Sequence, residues 1–409
     1  MLRRLLPGAF ASVYAALPLF PSFIALTTVA FPGVSVVGKP VAFATLALVA
    51  FLVAYAAILL VRNQKRGSQP LLLPMLAWLG SAALSALAGF DPLRGVLFLF
   101  ICGASILWHC ALLRFYGDRG VSTAIFWSYL ASGTLAAAAA IVMVLTRTPA
   151  TLYALQHGRA TGSFILPGEL AAYLIVLLPI AYAVARIARA PALRTLAWTA
   201  CAVGLSALVL TYSRAGWMGG AATIAFLVAL QSGRMRRRGA VWALAAIAVG
   251  SAAVLALFNS HHDPSEDYTR ISIWQAALQI IDRFPLTGVG PFDFPRLYAL
   301  VHVPDADATA FHAHSLYLTF FAEGGAIMLA AFLWTAWVFV VELRARVARA
   351  EPASALLSLA VTAGLVGVAV QGLIDTMSIV IFGLWLPSMG LALAAARAQP
   401  PLSSEEIDL

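Results

Sequence analysis

The chain has 409 residues, of which 62% are hydrophobic and 11% charged, with a formal net charge of +9. Soluble domains average roughly 25% charged residues, so too few charges remain here to coat a water-facing surface, and lipid is the expected solvent. The basic excess does not read as a nucleic-acid surface, because it falls in short clusters between apolar runs, the pattern of cytoplasmic loops in a membrane protein.

A membrane-crossing helix needs about 20 apolar residues. On that measure the sequence predicts an all-α membrane protein of about twelve transmembrane helices, near 9–31, 40–61, 70–89, 94–113, 121–145, 168–187, 193–211, 214–231, 239–258, 314–341, 353–374 and 379–397. The opening Met1-Leu2-Arg3-Arg4 with its apolar run reads as an uncleaved first span, having no clear small-x-small cleavage site. Pro179 falls inside a span, which membrane helices tolerate. Cys102 and Cys110 would sit on one helix about 12 Å apart, too far for a bridge, and Cys201 lies in another apolar run; all three read as packing residues.

With the N-terminus placed inside, 18 of the 26 basic residues fall on cytoplasmic loops and 8 outside, among the latter Arg159, Arg214 and Arg270. The bias predicts an even number of spans with both termini cytoplasmic. The chain then reads as one polytopic membrane domain, 1–409, with a cytoplasmic tail at 398–409 and two outer loops of substance, 146–167 and the long 259–313. The long loop carries seven acidic residues, three arginines and four histidines. Within it, Arg270–Phe284 is expected to be an amphipathic helix, capped by Thr269 and stopped by Pro285, with Ile271, Trp274, Ala277, Leu278 and Ile281 on one face. Gly288, Gly290 and Pro291 then predict a tight turn.

The residues with chemical potential gather at the outer span ends. Arg214 opens the eighth span and either snorkels to the interface or binds an anionic group. Arg159 and Arg270 read equally as surface charges or as phosphate ligands, since guanidinium groups and helix N-termini both suit phosphate. His312-Ala313-His314-Ser315 marks where the long loop re-enters the membrane, and histidine suits proton transfer near neutral pH. Its alternate spacing, with Asp305 and Asp307 nearby, is a weak metal signal that lacks a defined third ligand. Glu323 lies inside the tenth span and must face a partner or a cavity, while Asp375 is either a solvated helix-end carboxylate or a group that orients a base. His109 reads as packed or interfacial and His261-His262 as solvated. There is no P-loop, nucleophile elbow or nucleotide signature, so a glycosyl donor at the outer face would have to be lipid-linked.

Taken in order, Thr211-Tyr212-Ser213-Arg214-Ala215-Gly216-Trp217, Arg270-Ile271-Ser272-Ile273-Trp274, Pro285-Leu286-Thr287-Gly288-Val289-Gly290-Pro291, His312-Ala313-His314-Ser315 and Glu323-Gly324-Gly325 resemble the O-antigen ligase / O-antigen polymerase superfamily, over about residues 155–345. The ligase pattern runs from a histidine and a following Asn, Ser or Gln through nine residues to Gly, two residues, then Gly, Thr or Tyr. His314, Ser315 and Gly325 fit it, and Met328 departs from it.

The resemblance implies a glycosyltransferase of the bacterial inner membrane, active at the periplasmic face. It would transfer a glycan from undecaprenyl diphosphate to a sugar hydroxyl of lipid A–core in lipopolysaccharide synthesis, inverting the anomeric centre, with no metal and no cofactor. On that reading His314, Arg214 and Arg270 are catalytic, and Arg159, His312, Tyr212, Ser213, Trp274 and Asp375 bind the diphosphate or the glycan. Its partners are the lipid-linked donor, the lipid A–core acceptor and membrane lipids. Competing readings are an O-antigen polymerase using the same donor, a polytopic transporter or flippase, towards which Glu323 and Pro179 lean, and a non-catalytic assembly factor.

Overall fold

The apolar runs become helices, and the polar residues beside them set where those helices start. A computed structural model describes residues 2–18, 68–164, 166–231, 264–301, 310, 312–375 and 379–396. The helices are α1 (Leu2–Ala16), α2 (Leu72–Ala88), α3 (Pro92–Phe115), α4 (Arg119–Thr146), α5 (Ala150–Leu155), α6 (Pro167–Ile187), α7 (Pro191–Leu210), α8 (Arg214–Gln231), α9 (Pro264–Arg283), α10 (Phe294–Val301), α11 (Leu316–Val347), α12 (Pro352–Gln371) and α13 (Ile379–Ala395). Among the described residues there is no strand. The expected spans 40–61 and 239–258, most of 9–31 and the tail lie outside the described residues, as do His261, His262, Asp305 and Asp307.

Proline opens α3, α6, α7 and α12, where its missing N–H would have had no intrahelical partner. Asp91 and Asp118 cap α3 and α4, accepting the N–H of Leu93 at 3.2 Å and of Val121 at 3.3 Å. Six of the helices, α3, α4, α6, α7, α11 and α12, are long and apolar enough to cross a membrane. The shorter apolar helices include α2.

α6 is the central post. Of its apolar window 78% is buried inside the protein, against 28–56% for the other five. It packs on α7, α8 and α12, while α2, α3, α11 and α13 form the neighbouring half of the bundle. Small residues bring the helices together: a Cβ on Gly219 would sit 2.6 Å from the Gly367 carbonyl oxygen, so α8 and α12 touch backbone to backbone. Leu135, Leu145 and Trp337 stay exposed on the outside of the bundle, as lipid-facing side chains should.

The structure corrects the expected helix in the long loop. α9 begins at Pro264, so Arg270 stands in its second turn rather than at its head, and Thr269 is not its cap. The buried face is also rotated from the expected one. Ile273, Ala276, Ala277 and Ile280 are buried with Ile281, while Ile271 and Leu278 are half exposed. The helix packs on α11 and α10 through this face.

Candidate functional site

The site is assembled on a break in α11. Gly325 has φ +67° and ψ −175°, so the helix stops and restarts there. A broken helix inside a bundle leaves backbone groups without partners, which the apolar surroundings make costly. The turn that follows α9 satisfies them. Val289 and Gly290 donate their N–H groups to the carbonyls of Ala322 (3.1 Å) and Glu323 (2.9 Å). In return Ala326 and Ile327 donate to Pro285 (2.8 Å) and Leu286 (3.3 Å). From α2, Ser85 Oγ donates to the same Glu323 carbonyl at 2.6 Å.

This exchange explains the glycines of both motifs. A Cβ on Gly288 would stand 2.4 Å from the Glu323 backbone, and one on Gly325 would stand 2.1 Å from the Leu286 carbonyl oxygen. The buried Glu323 side chain turns back to the same loop, where its carboxylate accepts backbone N–H groups of Phe292 and Phe294. Phe294 is the first residue of α10, so the carboxylate sits at the positive end of that helix. Glu323 therefore faces a partner, and the partner is the loop itself.

A second clasp holds the other side of this loop. Asp293, fully buried, accepts the Asp91 N–H at 2.7 Å. Arg94 donates to the Phe292 carbonyl at 3.2 Å and lies 3.3 Å from Asp91 and 4.0 Å from Asp293. Burial pushes the Asp293 carboxyl above its ordinary range, and the Asp91 N–H and the Arg94 charge oppose that rise. Neither Arg94 nor Asp293 belongs to the motifs singled out in the sequence; the Asp91-Pro92-Leu93-Arg94 start of α3 is the signal that could have marked the clasp.

His314 sits at the end of the loop, just before α11. Its backbone is in the left-handed region, φ +45°. Its N–H donates to His312 Nδ1 at 3.3 Å, and the neighbouring Ala313 N–H donates to Thr319 Oγ1 at 3.2 Å. Leu316 N–H donates to the Gly372 carbonyl at 2.8 Å, which ties this turn to the end of α12. Asp375 follows three residues later. Its Oδ1 lies 3.9 Å from His314 Nδ1, with the two side chains 18% and 33% exposed. The two side chains face each other, and the histidine is open to a ligand.

Electrostatics gathers four of the expected residues. Burial alone would raise the Asp375 carboxyl, but the contact with His314 and the charges of His314, Arg270 and His312 outweigh it, so the group is held below its ordinary value. His312 is pushed down to about 3, first by burial and then by the charges of His314 and Arg270, with Asp375 opposing. Asp375 is thus anionic and His312 neutral at neutral pH, and Arg270 acts on both.

The arginines expected to hold phosphate are placed at the same end of the bundle. Arg214 opens α8, and Ser213 is its cap, the Oγ accepting the Gly216 N–H at 3.1 Å. Tyr212 takes φ +46° in the turn before it and is half exposed. Gly216 packs against Ala171 of α6, a Cβ there meeting Ala171 Cβ at 2.4 Å. Asp375 faces the same helix at Gly168, where a Cβ would stand 2.4 Å from its Oδ2. The first turn of α6 therefore separates the head of α8 from Asp375. Arg159 lies in the loop before α6, anchored where Ala160 N–H donates to the Leu210 carbonyl at 2.9 Å. Trp274 is half-buried in α9, its indole N–H enclosed. Below Trp217, a cavity of about 620 Å³ runs between α6, α7 and α8, lined by Leu178, Leu205, Leu208, Ile224, Leu227 and others.

A metal at His312 and His314 would need a third ligand, and among the described residues no three His, Cys, Asp or Glu side chains are grouped to hold an ion. Met328, the residue at the departure from the ligase pattern, is buried one turn below Gly324, where a Cβ on the glycine would meet its sulfur.

Residues 199–333 match a family model described as O-Antigen ligase, a stretch that runs from α7 through the break in α11. No curated protein matches the chain.

Proposed function

With the O-antigen ligase / polymerase superfamily as the premise, we propose that this protein is a membrane glycosyltransferase that moves a glycan from undecaprenyl diphosphate to a sugar hydroxyl of lipid A–core. The observation that carries the reading is the His314–Asp375 pair beside Arg270, at the end of the bundle where α6, α8 and α11 begin. Asp375 fixes the proton on His314 Nδ1, which leaves Nε2 as the base for the acceptor hydroxyl. The 3.9 Å separation shortens to a hydrogen bond when the substrates close the site, as catalytic contacts in empty sites commonly do.

The hydroxyl oxygen attacks the anomeric carbon in line with the bond to the diphosphate. The new C–O bond forms as the old one breaks, the proton passes to His314, and undecaprenyl diphosphate leaves with the bond's electron pair. Arg214, Arg270 and Arg159, with the amino ends of α6 and α8, stabilise the charge that develops on the diphosphate, so no divalent ion is needed. Tyr212, Ser213 and Trp274 contribute to the diphosphate and glycan site, Ser213 through the cap that sets Arg214. The cavity is lined almost wholly by apolar side chains and reaches Trp217 in the first turn of α8, which suits the polyprenyl chain. The active end faces the periplasm, with both termini in the cytoplasm.

One observation favours a second reading, an O-antigen polymerase: Met328 occupies the place where the ligase pattern has Gly, Thr or Tyr. Incubating purified protein with undecaprenyl-diphosphate glycan, and offering lipid A–core and a second lipid-linked glycan together, separates the two. Extension of lipid A–core is the expected outcome. Extension of the lipid-linked glycan alone makes the protein a polymerase, and no transfer to either rejects both.

A further inference from the structure

We propose that His312 is a positioning residue, whose Nδ1 lone pair holds the His314 N–H and so keeps the left-handed turn that aims the His314 ring at Asp375. The inference rests on the reading of His314 as the base, and it gives His312 a different task from binding substrate.

The backbone of His314 is the starting point. A residue with a Cβ is strained in the left-handed region, and it persists there where its surroundings fix it. With φ at +45°, His314 needs such fixing. Two side chains supply it. Thr319 Oγ1, itself donating to the Ser315 carbonyl at 2.8 Å, accepts the Ala313 N–H at 3.2 Å from within α11. His312 Nδ1 accepts the next N–H, that of His314, at 3.3 Å. The two rings lie edge to face with centroids 4.5 Å apart, so the His312 ring also forms a wall for the His314 ring.

The acceptor role fixes the chemistry of His312. A nitrogen that accepts an N–H bears no proton, so the ring is the neutral tautomer with its proton on Nε2. Its depressed proton affinity agrees with this, since a protonated ring would lose the lone pair that the turn uses. The paired groups facing it, His314, Asp375 and Arg270, leave a net positive neighbourhood when His314 is charged, which keeps His312 neutral during proton transfer. His312 therefore takes no part in moving the proton. Without it, the turn relaxes and the His314 ring leaves its line to Asp375.

Two isosteres separate this role from substrate contact. Asn places its Oδ1 near the position of a histidine Nδ1, whereas Gln places its polar end near Nε2. In the purified transfer assay, His312→Asn is expected to stay within about threefold of wild type. His312→Gln is expected to lose on the order of 10–100-fold in kcat with KM for both substrates little changed, the size of loss that a misplacement near 1 Å produces. Equal activity of Gln and wild type, or loss in Asn with retention in Gln, overturns the proposal, as does a change confined to KM. A separate measurement does not depend on variants or turnover: ¹⁵N-histidine NMR of the wild-type protein in detergent. It should show His312 as the neutral Nε2–H tautomer from pH 8 down to about 5; the Nδ1–H tautomer, or a titration in that range, contradicts the proposal. An inactive wild-type protein that shows the Nε2–H tautomer would reject the transferase reading and leave the role of His312 standing.

Discussion

His314 and Asp375 are 61 positions apart in the sequence and 3.9 Å apart in the structure. The sequence marks each as a candidate, Asp375 beside its reading as a solvated helix-end carboxylate. Their pairing was not legible, since it depends on the end of α12 being tied to the start of α11 through the Gly372 carbonyl. The role of Ser213 was equally hidden: its motif suggests a ligand, and its Oγ caps α8. At this scale pH dependence follows from His312. Its ordinary pKa of 6.5 drops to about 3 in the folded protein, first through burial. Below 6.5 the unfolded chain therefore binds a proton that the folded protein refuses, so this residue makes stability fall as pH drops from about 6.5 towards 3, and its contribution is complete above 6.5. Facing it are His314, Asp375 and Arg270, which His312→Asn leaves in place. The melting temperature of wild type in detergent should fall more between pH 7.5 and 5 than that of His312→Asn; equal falls would contradict the assignment.

The elements divide by how local their causes are. Apolar runs near 20 residues and prolines at helix starts made α3, α4, α6, α7 and α12 readable with ends within a few residues of those expected. The register of α9 was not readable, because the helix has two apolar faces. One, with Ile273, Ala276 and Ile280, meets the protein, and the other, with Tyr268, Ile271 and Leu278, is exposed. Periodicity picks out an apolar face without saying which one packs. The break in α11 was hidden for a related reason: Glu323-Gly324-Gly325 continues an apolar run, and only the loop arriving from 285–290 gives the freed backbone groups their partners. That clasp is testable. Gly325→Ala puts a Cβ against the Leu286 carbonyl at a left-handed position, so it should lower the melting temperature in detergent by several degrees and reduce transfer. Glu323→Ala leaves the N–H groups of Phe292 and Phe294 unpaired, an effect on the order of 1–3 kcal/mol for a buried donor, and should do the same. Glu323→Asp, one methylene short of the loop, should fall between Glu323→Ala and wild type. Wild-type stability in all three would show that the loop holds its place by other means.

For the whole molecule, the charge bias predicts the long loop outside, and the structure sets α9, α10, His314 and the head of α8 at a single end of the bundle. The lipid-diphosphate reading requires that end to be periplasmic. A cysteine at Leu300, 82% exposed on α10, should react with a membrane-impermeant maleimide once the outer membrane is opened, with the three native cysteines replaced. Labelling only after the inner membrane is broken would reverse the topology. On the proposed function, both substrates would arrive with headgroups at that level and chains in the bilayer, which would account for His314 and the arginines lying at a helix-end rim rather than at mid-membrane.

On the proposed function, His314, paired with Asp375, takes the proton in a metal-independent transfer from undecaprenyl diphosphate. The direct measurement is release of undecaprenyl diphosphate by purified protein given lipid-linked glycan and lipid A–core in the presence of EDTA, for wild type and for His314→Ala of matched melting temperature. Full release by wild type under EDTA is expected, with a fall on the order of 10²–10⁴-fold for His314→Ala, the range of general-base catalysis. Release by His314→Ala at the wild-type rate, or wild-type release that stops with EDTA and returns with a divalent ion, would contradict it.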